Sequence, residues 1–87
     1  MNATNTIPVT RTTPAVGTRR IRAVGNPDVI AGVAFPWVVE LMTPHGWRCI
    51  DGAYAERAHA ETADQNITPA QVARSMELAD KEAARGL

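Results

Sequence analysis

The chain is predicted to fold as a small α+β domain: an antiparallel sheet of two or three strands packed against two helices, with a flexible N-terminal arm. Three observations predict this. Eighty-seven residues allow one core of modest size. A β-forming run carrying both tryptophans and the only cysteine is interrupted by Thr43-Pro44-His45-Gly46 and resumes as far as Asp51-Gly52. An alanine-rich stretch and a strongly capped helical segment then complete the chain.

Residues 1–17 are rich in Thr, Asn and Pro and have no sustained period, which predicts a flexible basic arm ahead of a single domain over 18–87. Thr18–Val24 alternates and suggests a first strand. Gly25-Asn26-Pro27-Asp28 is a turn signal, and Val29–Ala34 follows as a short apolar linker around Gly32.

The central prediction is a β-hairpin over 37–51. Pro44-His45-Gly46 fits a three-residue loop, because proline presets φ and glycine takes the left-handed position that closes a bulge. That loop would pair Thr43 with Trp47, Leu41 with Cys49 and Val39 with Asp51. Directly opposed residues share a face, so Trp37, Val39, Leu41, Trp47 and Cys49 would form the core side. Val38, Glu40, Met42, Arg48 and Ile50 would form the other.

Helices are expected over about 53–65 and 69–85. Small residues such as Ala55, Ala58 and Ala63 suit the first to close packing on a sheet. Thr68 is a good N-cap for the second, with Pro69 at the first helical position and Gln71 completing a capping box. Val72, Met76, Ala79 and Ala83 then make one narrow apolar stripe.

Net charge is zero but uneven: residues 1–27 hold four arginines and no acid, while the remainder holds nine acids against five bases. Arg11, Arg19, Arg20 and Arg22 therefore offer a secondary anionic contact, though without the dense basic balance of a dedicated nucleic-acid domain. One cysteine and no apolar run of signal-peptide or membrane-spanning length suggest a soluble cytoplasmic protein.

Constellations that carry chemistry are missing from the sequence. Ser75 is the only serine and falls within a helix, and the six glycines are scattered singly. His45, Cys49, Asp51 and His59 do not have the paired spacing of a metal site. Cys49, with His59 on the next helix, is the one candidate nucleophile, and a mid-strand thiol beside two tryptophans reads as core. No catalytic residue, metal or cofactor is expected.

What remains is the second sheet face. Val38, Met42 and Ile50 interleave with Glu40 and Arg48, a mixed surface of the kind protein interfaces present. The alternative is cover by the arm or by Val29–Ala34. This profile is similar in type to the small accessory or inhibitor proteins of bacteriophages and mobile elements, anti-CRISPR proteins among them, a likeness that no residue motif carries. The expectation is a non-catalytic binding protein whose partner is another protein or complex. Its alternatives are a nucleic-acid-associated protein and a homo-oligomeric subunit.

Overall fold

The computed structural model describes residues 14–86. Three strands, β1 (Arg19–Ile30), β2 (Val33–Thr43) and β3 (Gly46–Tyr54), form one antiparallel sheet in the order β1-β2-β3. Two helices follow, α1 (Arg57–Gln65) and α2 (Pro69–Arg85). The predicted α+β class is what the chain adopts, with three strands.

Both helices lie on one side of the sheet. Arg19 of β1 pairs with Asp64 of α1, Arg48 of β3 with Glu82 of α2, and the Arg57 guanidinium sits over the Trp37 ring at 5.4 Å. Beneath them Val39, Leu41 and Ala60 are fully buried, with Ser75 and Ala79 of α2 closing the core. Alanine and serine at these helix positions let the backbones approach the sheet closely. Only a small apolar area is buried in return.

α2 starts as its sequence requires. The Thr68 hydroxyl accepts from the Gln71 backbone N–H at 3.1 Å, and the Gln71 side chain accepts from the Thr68 N–H at 2.9 Å. The expected Glu77–Lys81 pair forms at 3.7 Å. α1 is shorter than expected, because Ala53 and Tyr54 continue β3 and the helix begins only at Arg57. Neither helix is long and apolar enough to cross a membrane.

The hairpin register keeps the predicted Val39–Asp51 pair but differs from the predicted one between it and the turn. Thr43 pairs with Gly46, Met42 with Trp47, Leu41 with Arg48 and Glu40 with Cys49, so the loop is Pro44-His45 alone. The Thr43 hydroxyl closes it, donating to the Gly46 carbonyl at 2.8 Å and accepting from the His45 N–H at 3.1 Å. The extra residue expected at Gly46 is instead Ile50, and a second irregularity falls at Ala53. Between them Gly52 packs against Val38 with φ of +147°, where an added Cβ would lie 2.9 Å from a Val38 methyl.

β1 is also longer than predicted. Gly25-Asn26-Pro27 does not turn the chain; Val24–Pro27 forms a wide bulge between Ala23, paired with Trp37, and Asp28, paired with Phe35. The turn comes at Ala31-Gly32, with φ of +53° and +80°, the pattern of a two-residue hairpin turn that follows strand twist. β3 reaches only as far as Trp37, so Asp28–Ile30 and Val33–Phe35 pair with each other alone. The result is a two-stranded ribbon extending past the sheet, in a molecule of 57 × 30 × 26 Å.

Candidate functional site

The ribbon tip is where the chain departs furthest from ordinary surface chemistry. Val29, Ile30 and Val33 are 63%, 64% and 49% exposed and, with Val16, are the large apolar side chains left open to water among the described residues. β-Branched residues hold the strands extended beyond the bulge at Val24–Pro27. Beside them stands Asp28, exposed and without an ion pair among the described residues. An isolated two-stranded ribbon has marginal stability in water, so an apolar tip at its end is a feature to be accounted for.

The face away from the helices is organised around Glu40. Its carboxylate accepts from Arg20 Nε at 2.8 Å and from Arg22 at 2.9 and 3.1 Å. The Arg20 guanidinium also stacks 4.0 Å above the Trp47 ring. Arg22 above all, with Arg20 behind it, holds the Glu40 carboxyl below the usual carboxylate range against the opposing effect of burial. This closure leaves Val38, Glu40 and Met42 only 7–8% exposed.

The residues expected to form a contact surface therefore part company. Val38, Glu40 and Met42 share a face, as expected, but they are buried. Arg48 is opposite Leu41 on the helix side, and Ile50 is the bulge residue beside it. Trp47, expected in the core with Trp37, lies instead on the open face under Arg20. Of the four arginines expected to offer an anionic contact, Arg19, Arg20 and Arg22 are each bound to a carboxylate, and Arg11 lies outside the described residues. The expected arm at 1–17 is described only from Pro14 on, where the Gly17 N–H donates to the Met42 carbonyl at 2.8 Å.

Cys49 is exposed rather than a core thiol. Its surroundings nonetheless desolvate the sulfur and push its pKa up, the opposite of what a nucleophile needs. Among the described residues no three His, Cys, Asp or Glu side chains are placed to hold a metal ion. His45 pairs with Asp80 at 2.8 Å and ties the β2–β3 turn to α2.

A groove of about 450 Å³ runs between β3 and α2, walled by Ile50, Ala70 and Leu78, with Arg48 and Arg74 at its charged positions. No carboxylate lines it. Beyond β3 no further strand is present among the described residues, so the groove borders an unpaired sheet edge. No family model, curated protein or solved structure matches the chain.

Sequence reasoning passed over the tip residues by treating Val29–Ala34 as cover for the sheet. The signal was present: Val29-Ile30 and Val33, all β-branched, flank Ala31-Gly32, a two-residue spacing that reads as a hairpin.

Proposed function

We propose that this chain is a non-catalytic binding protein that acts by steric contact, of the accessory or inhibitor type found in phages and mobile elements, with the apolar β-ribbon tip as its contact surface. The observation that carries this reading is the exposure of Val29, Ile30 and Val33 at the end of a projecting ribbon. Clustered apolar side chains held clear of the body are suited to insertion into a cleft on another protein, where a few buried anchors supply most of the affinity. The buried Val38 and Met42 cannot serve as such anchors without opening the Glu40 cluster.

The test is capture of a target from the native host by the tagged chain, followed by calorimetry on the purified pair. Ile30→Asp is expected to weaken that affinity by about 100-fold, since it places a charge in an apolar contact, while its thermal melting stays near that of the parent. Undiminished affinity in a folded Ile30→Asp protein would overturn the reading.

A further inference from the structure

The ribbon tip and the β3–α2 groove are complementary, and both belong to the same chain. The tip offers Val29 and Ile30 in extended conformation beside Asp28, an acid without an ion pair among the described residues. The groove offers an apolar wall of Ile50, Ala70 and Leu78 beside Arg74 and Arg48, the latter already paired with Glu82. Arg74 is 65% exposed and held only by Glu77 at 3.6 Å, an exposed pair that contributes little and is readily exchanged.

A tip cannot reach its own groove. Ile30 pairs with Val33 at one end of β2, and Leu41 pairs with Arg48 near the other, roughly 26 Å away along an extended strand. Two molecules laid side by side in opposite directions bring each tip to the other's groove. A two-fold axis generates both contacts at once and closes the assembly.

We infer that in the free protein the tip docks in the β3–α2 groove of a second copy, with Ile30 and its strand partner Val33 against Ile50 and Leu78, and Asp28 on that same face against Arg74. The inference rests on the reading of the tip as the contact surface and names its occupant in the absence of a target. If each contact buries on the order of 300 Å² on each side, the reciprocal pair totals roughly 1,200 Å², the lower end of what specific association requires. The complex is accordingly a weak dimer, which a target with a deeper cleft can displace.

Sedimentation equilibrium of the full chain across the micromolar range, with charge reversals on these two exposed residues, tests the inference. The unmodified chain is expected to sediment as a dimer. Asp28→Arg and Arg74→Glu should each raise the dissociation constant about ten-fold, and the double reversal should return it to within about three-fold of the parent. A chain that stays monomeric throughout, forms an open polymer, or loses no affinity on single reversal overturns the proposed dimer. A monomeric chain that still captures a host protein through Ile30 removes the dimer alone. A dimer that captures none leaves the dimer standing and removes the functional reading.

Discussion

Leu41→Ala is expected to remove most of the protein's stability at 25 °C. Leu41 has no exposed surface and stands on the central strand β2, between the other two strands and against the helices. Truncating a buried leucine removes its transfer free energy and leaves a cavity, together about 3 kcal/mol. A core this size supplies a net stability of only about 3–5 kcal/mol. The buried residues on the helix side include Ala60 and Ala79, whose methyl groups cannot swing into a void. Urea unfolding followed by far-UV circular dichroism reads the loss directly. A midpoint near that of the parent would mean that the sheet is not held from this face.

Removing the two arginines that enclose Glu40 should have the second largest effect, and one with a distinctive pH dependence. Arg20→Ala with Arg22→Ala leaves a carboxylate that is 9% exposed at its side chain with neither of its charge partners. Removing the partners of a buried carboxylate is destabilising, but these guanidiniums are 41% and 46% exposed and water screens the pair, so a lowered urea midpoint is expected at neutral pH rather than complete unfolding. In the parent, the Glu40 pKa is depressed on folding. Its contribution is then present above the unfolded value of about 4.3 and lost as pH falls through the lower folded value. In the double variant burial alone acts and the folded pKa rises. Acidification through that raised value should recover stability in the variant while the parent begins to lose it. Adding Glu40→Leu to the pair should restore stability at neutral pH, because no buried charge then remains. Equal midpoints for the parent and the double variant at neutral pH would show that the cluster is solvated.

How far the sequence could be read depended on whether a signal was local. Thr68, Pro69 and Gln71 specify the start of α2 through bonds among near neighbours, and that helix runs as its residues imply. The sheet was legible in kind but not in parity. Alternation within the hairpin favours sending both indole rings inward and sets Arg48 away from Leu41. Two long-range contacts reverse that preference: Glu82 of α2 neutralises Arg48 at the groove, and Arg20 of β1 stacks on Trp47 from outside. Neither partner lies near its mate in sequence, so alternation within the hairpin could not reveal them. The same limit hid the ribbon. Gly25-Asn26-Pro27 has the composition of a turn, and only pairing of Asp28–Ile30 with Val33–Phe35 makes it a bulge within a continuing strand. Glu40 was visible as an acid on a mixed face. Its two arginines, eighteen and twenty residues earlier, made that face a closed one.

Photo-cross-linking from two positions most directly separates the tip from the open face as the site where another protein is met. A benzophenone maleimide on the native Cys49 reports on the open face, and the same probe on Ile30→Cys in a Cys49→Ala background reports on the tip. Cross-links to a target polypeptide are expected from position 30 and not from position 49; a link from position 49 to another copy reports instead the β3–α2 groove, which Cys49 also lines. Target cross-links from position 49 with none from position 30 would contradict the account and return the contact to the face formed by Val38, Glu40 and Met42.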